Sequence, residues 1–173
     1  MNRLHCIVFS LIILLFSGCA GQQNMEMAPT PAIPTPVAGQ ITVINLMAPV
    51  APAGMTNGSA YFIVQNGTDQ LLRLQSATAA VAESITLHET VDDGGIMRMI
   101  PQPDGFAVPA GESLILEPSG KHVMLEQLYA PLSAGDQFTL TLNFADGEAL
   151  TVTVPVMERG VDPMDHSMEH NHK

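Results

Sequence analysis

The run Phe138-Thr139-Leu140-Thr141-Leu142-Asn143-Phe144, followed after Asp146-Gly147 by Leu150-Thr151-Val152-Thr153-Val154-Pro155-Val156, decides the fold class. In both halves apolar residues alternate with polar ones. A period of two places one apolar set on a single face, as in a half-buried strand. Asp-Gly between two such runs is a hairpin signal. Pro155 marks either the end of the last strand or an open edge, because proline cannot donate to a ladder.

Upstream the same grammar repeats. Strands are predicted over 41–46, 59–65, 71–76, 84–91, 113–117 and 122–128. Turn-rich pieces separate them, among them Asn57-Gly58, Asn66-Gly67, Asp93-Gly94-Gly95, Pro109-Ala110-Gly111 and Pro118-Ser119-Gly120. Short strands at this spacing predict an all-β sandwich or barrel. The stretch 41–158 is long enough to enclose one such core. Residues 77–83 are predicted to make one helical turn. The asparagines of the two Asn-x-Ser/Thr sequons, Asn57 and Asn66, are explained by turns.

Outward from this domain lie three other segments. Arg3, the apolar run Ile7–Phe16 and the small residues Ser17 and Gly18 precede Cys19. The run is too short for a permanent membrane span. The layout resembles a bacterial lipoprotein signal, with 1–18 removed and Cys19 carrying lipid. Phe16 stands where leucine is usual, and an ordinary cleaved signal with an incidental cysteine is the alternative. Residues 19–40 then form a lipidated, proline-rich linker: prolines 29, 31, 34 and 36 favour extended chain over helix. The last segment, 159–173, has no apolar face and is expected to be a disordered tail. Met25 and Met27 are read as linker residues without function.

Charge and composition narrow the function. The chain has 17 acidic and 6 basic residues, a formal charge of −11. Nucleic acid and anionic lipid surfaces are therefore excluded as partners; contact with a membrane is through the anchor alone. Trp is absent and aromatics are 5%, so a base- or sugar-stacking platform is not expected. The only two cysteines are Cys6, in the signal, and Cys19. No thiol remains for a disulfide or a metal. Eleven methionines call for an explanation.

The histidines supply one. After signal removal five remain: His88 and His122 in the domain, and His166, His170 and His172 in the tail. His122 and Met124 are two apart on a predicted strand and share a face. His88 lies on an earlier strand, facing away from Ile85 and Leu87. Met99 follows the Asp93-Gly94-Gly95 turn on an arm that can return toward His88. Two imidazoles and two thioethers then meet from three segments. Thioethers are soft and uncharged, so this set selects copper(I) over zinc, magnesium or calcium. Taken singly, each methionine could be core filling and each histidine a surface residue.

The stretch His88…Met97-Arg98-Met99…His122-Val123-Met124 resembles the periplasmic copper chaperone family called PCuAC. The family pattern is His, ten residues, Met, about twenty-one residues, His-x-Met. Here the intervals are ten and twenty-two residues, the extra one assigned to the Pro101–Gly105 turn. The likeness continues through Leu87-His88-Glu89, Val108-Pro109-Ala110-Gly111 and Leu132 to Gly135-Asp136, over 41–157. It implies a cupredoxin-like, Greek-key β-sandwich holding copper(I) through His88, Met99, His122 and Met124, with Met97 a rival to Met99. It implies delivery of copper to respiratory oxidase, at the binuclear copper site of cytochrome c oxidase subunit II, directly or through a thiol copper chaperone. A blue-copper site needs cysteine, so redox catalysis is not expected, no catalytic residue is assigned and the chain is not read as an enzyme.

Two other functions stay open: an envelope copper scavenger, and a lipoprotein adhesion or assembly module without metal. In the tail, Met164, His166, Met168, His170 and His172 make a candidate second site taking copper(II) as well as copper(I). A solvated terminus is the plainer reading. A monomer, anchored in the periplasm or on the outer face of the cytoplasmic membrane, is the expected state.

Overall fold

A computed structural model describes residues 33–158 of the chain. Ten strands follow one another: β1 (Ile41–Pro49), β2 (Asn57–Asn66), β3 (Leu72–Ala79), β4 (Ala82–Asp92), β5 (Met97–Pro101), β6 (Phe106–Val108), β7 (Ser113–Leu116), β8 (Lys121–Leu128), β9 (Gln137–Phe144) and β10 (Ala149–Met157). They pair in the order β5-β4-β8-β2-β1-β10-β9-β3-β6, with β7 also on β2. The path folds into two layers, one centred on β8 and β2 and the other on β9 and β3. The end of β1 joins them by a short parallel pairing with the end of β10. This is the all-β, cupredoxin-like sandwich expected from the sequence.

Alternation builds the core. Val123 and Leu125 of β8, Leu87 of β4 and Phe62 and Val64 of β2 face Leu140 and Leu142 of β9, Leu74 of β3 and Val154 of β10. All nine are buried. At ~25 cal/mol per Å² of apolar surface removed from water, each contributes roughly 1.5–3 kcal/mol. The hairpin read around Asp146-Gly147 is present: β9 and β10 pair from Asn143↔Ala149 to Pro155↔Gln137. Gly147 has φ 91°, the left-handed conformation that such a loop needs and glycine supplies without strain. Pro155 lies two residues before the strand's end. Along 149–155, β10 pairs only with β9 among the described residues, so the missing N–H interrupts no ladder.

One expectation needs correction, and one strand is new. No helical turn occupies 77–83: β3 runs to Ala79, Ala80-Val81 turn, and β4 starts at Ala82. The alanines have helical propensity, but Ala77 pairs with Leu142 and Ala79 with Leu140 on β9. That tertiary pairing prevails over a weak local preference. The short strand β6 was not anticipated; three residues carry too little periodicity to read. It pairs with β3 and buries Phe106 and Val108.

Asn66, one of the two sequon asparagines, has a structural task. It is wholly buried at the end of β2. Its Nδ2 donates to the carbonyls of Gln70 (2.8 Å), Val108 (2.9 Å) and Pro109 (3.2 Å). Its Oδ1 accepts from Thr68 N (3.1 Å) and Thr68 Oγ1 (2.6 Å). One side chain thus satisfies the backbone of two turns.

Candidate metal centre

The candidate residues lie on the face of β5-β4-β8-β2 that points away from the core. Leu87 and Val123 are partners on the inner face. One residue along, His88 and His122 are partners on the outer face. Directly paired residues in an antiparallel ladder share a face and approach closely. The two imidazoles stack, with centroids 5.9 Å apart and planes 16° apart. Both are largely buried, His88 8% and His122 4% exposed.

The ladders also set the methionines. Met124 pairs with Thr86, two residues before His88, and Met99 pairs with Thr90, two residues after it. Even steps keep all four candidates on one face. They flank the histidine pair on opposite diagonals, Met99 on the β5 side and Met124 on the β8 side. The structure thus brings His88 and His122 together directly, and sets one methionine on each side of them. Met99 and Met124 themselves are not neighbours. Met97 pairs with Asp92, four residues from His88, and is the more distant of the two β5 methionines.

Hydrogen bonds orient both rings. His122 Nδ1 lies 3.0 Å from the Gly120 carbonyl oxygen. A carbonyl only accepts, so Nδ1 carries the proton and the neutral ring keeps its lone pair at Nε2. His88 Nδ1 lies 3.2 Å from Thr86 Oγ1. With the proton on Nδ1, Nε2 is the ring atom left to bind a metal, as is usual for imidazole ligands. Burial holds His88 below the ordinary imidazole pKa; the nearby His122 adds to this and Glu126 opposes it. A lowered pKa favours the neutral ring, the form in which imidazole binds metal. One residue beyond the pair, Glu89 and Lys121 are again ladder partners and form an ion pair of 3.0 Å. That contact ties β4 to β8 on the opposite face, one step along the ladder from the histidines.

An open groove of about 840 Å³ runs along this face, its wall including Met47, Met55, Met97, Met99, Met124 and His122. His88, stacked on His122, is not part of the wall. Met97 and Met99 are 56% and 52% exposed, so core filling does not account for them. Among the described residues, five of the six methionines line the groove. No group of three or more His, Cys, Asp or Glu side chains suited to a metal occurs among those residues. The donor set is imidazole and thioether, which favours copper(I).

Several participants escaped the sequence reading. Tyr61 packs edge-on to His122, centroids 6.4 Å apart, and its hydroxyl accepts from Ser59 Oγ at 2.9 Å. Thr86 was legible in principle, being two residues before His88 on the same strand. Met47 was not. A bulge between Ile44 and Met47, with Asn45 at φ 55°, adds a residue to β1 and puts Met47 opposite Tyr61. Cys19 and the tail residues Met164, His166, Met168, His170 and His172 lie outside the described residues.

Comparison with known proteins agrees with this picture. The profile of the LpqE-like lipoprotein family matches residues 41–156. A protein of Leifsonia xyli subsp. xyli, named as a lipoprotein, is 35% identical over 155 residues, 90% of each chain. The solved copper(I) form of DR1885 from Deinococcus radiodurans is 32% identical, with a TM-score of 0.54 over 81% of this chain and 84% of that one. The copper-bound PCuAC domain from PmoF2 shares the fold at 21% identity, with a TM-score of 0.58 over 73% of this chain and 99% of its own.

Proposed function

The chain belongs to the LpqE-like lipoprotein family, and on that footing we propose that it is an extracytoplasmic copper(I) carrier that passes its ion to an acceptor protein. The observation that carries the proposal is the direct cross-strand pairing of His88 and His122, stacked at 5.9 Å. The ion binds His88 and His122 through Nε2 and takes a thioether from Met99 and from Met124. Support comes from the shared outer face, the Nδ1 hydrogen bonds and the copper named for the similar proteins. Uncharged ligands suit a carrier: they hold copper(I) without the net negative charge that would favour copper(II) or zinc. β5 is the exposed edge of its sheet, and drawing it inward brings Met99 to the ion.

Anchored through a lipid on Cys19, the domain at the end of the 19–40 linker reaches its acceptor from the membrane. The acceptor is the binuclear copper site of cytochrome c oxidase subunit II, or a thiol copper chaperone that serves it. Thiolates bind copper(I) more strongly than thioethers, so transfer runs downhill. The tail, with Met164, His166, Met168, His170 and His172, gathers copper of either oxidation state and passes copper(I) to the sandwich, copper(II) first taking one electron from a thiol reductant outside the chain.

Incubation of the copper(I)-loaded chain with the apo soluble domain of subunit II tests delivery. Copper should leave this chain and appear at the acceptor's two-copper site, and His122→Gln, which cannot be loaded, should transfer none. Retention of copper by this chain in the presence of excess apo acceptor and of a thiol chaperone would favour buffering. Mass spectrometry of the mature N-terminus tests the anchor: diacylated or triacylated Cys19 is expected, and Cys19→Ser should lose it.

A further inference from the structure

The groove face carries negative charge that no described residue neutralises. His88 and His122 are ladder partners on that face, and residues an even number of steps along either strand share it. Asp92, four residues after His88, is one of these, and its ladder partner is Met97. Glu126, four residues after His122, is another, and its partner on β2 is Asn57, in the groove wall. Glu126 is near enough to His88 to favour that ring's charged form. Glu117 stands in the wall itself, next to Pro118. These carboxylates are spread round the groove, not clustered. Glu126 pairs with Ser84, eight residues from Asp92 along β4, a separation of about 26 Å at roughly 3.3 Å per residue.

The cations are elsewhere. Among the described residues Lys and Arg occur at Arg73, Arg98 and Lys121 alone. Arg73 is on β3, in the other layer, and donates to the Asp104 carbonyl at 3.1 Å. Arg98 pairs with Val91, on the face opposite His88, and is bound to Asp93 at 2.9 Å. Lys121 is bound to Glu89, also on the opposite face. Asp92, Glu117 and Glu126 make no ion pair among the described residues. Between them the floor is apolar and open: Met47, Tyr61, Met99, Ile115 and Met124 contribute to it. A low-dielectric surface bordered by one sign of charge focuses that field into the solvent.

We infer that this face is where the copper acceptor docks, and that the acceptor presents an apolar centre ringed by lysine or arginine around its copper-binding thiols. The inference rests on the carrier reading above and names the chemistry of its partner. An ion held by His88, His122, Met99 and Met124 leaves from the face on which those donors sit, so the acceptor must approach there. An acidic rim would be repelled at three places. A neutral one would leave three carboxylates desolvated and unpaired. A basic rim pairs with each, and unbranched, adaptable methionines fit the apolar centre. In the transfer each new copper–thiolate bond replaces one bond to a thioether or imidazole. The thiol proton goes to solvent, the copper stays copper(I), and no electron moves.

Rates of transfer from the fully copper(I)-loaded chain test this, with the apo soluble domain of subunit II and, separately, the reduced apo thiol chaperone as acceptors. Anaerobic rapid mixing, quenching and mass spectrometry give the rate. Two variants lose the same charge in different places. Asp92→Asn with Glu117→Gln and Glu126→Gln neutralises the groove rim. Asp69→Asn with Asp146→Asn and Glu148→Gln neutralises three exposed carboxylates on turns outside it. With whichever acceptor takes copper, the parental rate should fall at least about tenfold between ~10 and ~150 mM salt, as the Debye length shrinks from about 30 to about 8 Å. At low salt the groove variant should be about tenfold slower than the parent, and the turn variant within about twofold of it. Equal slowing of both variants reduces the effect to net charge and overturns the inference. A rate indifferent to salt, or a groove variant as fast as the parent, overturns it too and leaves delivery standing. Transfer to neither acceptor overturns delivery, and the inference with it.

Discussion

Met99 pairs with Thr90 and Met97 with Asp92, so Met99 is two residues nearer to His88 along the same ladder. Removing its sulfur while keeping its volume separates the two. Met99→Leu should weaken copper(I) at least about a hundredfold, more than a change outside the ligand shell. Met124→Leu should do the same. Met97→Leu should not. Competition titration against a copper(I) chelator, on chains lacking the tail, reads all three. Parental affinity in either of the first two variants would remove that residue from the ligand set.

The pH dependence follows from His88. Its folded pKa lies below the usual value of 6.5 because burial and His122 penalise the charged ring. Between the two pKa values the unfolded chain binds more protons than the folded one. Stability is thus fully present above pH 6.5 and is lost as pH falls through that value toward the folded pKa. Urea unfolding at several pH values should show the decline, and His88→Gln should flatten it. Copper(I) affinity should also fall on acidification, since an imidazole binds metal only when neutral. An affinity constant from neutral to mildly acidic pH would take the histidines out of the site.

Asn66 offers a control for stability without function. Asn66→Ala strands the buried carbonyls that its Nδ2 now serves, at Gln70, Val108 and Pro109. The cost should be about 2–4 kcal/mol. Denaturant melts should show it, while copper(I) affinity of the folded variant stays unchanged. Asn66 lies seven residues along β2 from Ser59, the partner of Met124. A loss of copper affinity as large as that of Met124→Leu would refute this separation.

Truncation after Gly160 separates the tail from the sandwich. Copper(II) binding should disappear, because its imidazoles and carboxylates leave with the tail, and one copper(I) per chain should remain. Equilibrium dialysis of both oxidation states against full and truncated chains measures it. Unchanged copper(II) binding would make the tail a solvated end.

The sequence alone carried the class of fold and most of the strands, and its donor types are the ground on which copper(I) is proposed. The Phe138–Val156 alternation reads directly as a hairpin because side-chain direction in a strand has a period of two. His122 and Met124 read as one face for the same reason. Thioethers favour copper(I) whatever the fold, since that is a property of the donor atoms. Tertiary structure alone decided what lies across a ladder. That His88 opposes His122, that Met99 is nearer than Met97, and that Met47 turns into the groove depend on register and on a bulge in β1. Register is set by how two apolar faces close on one core, an interaction between distant segments that no local pattern encodes. The alanines of 77–83 show the same limit from the other side: their helical preference is local, and the pairing with β9 that overrides it is not.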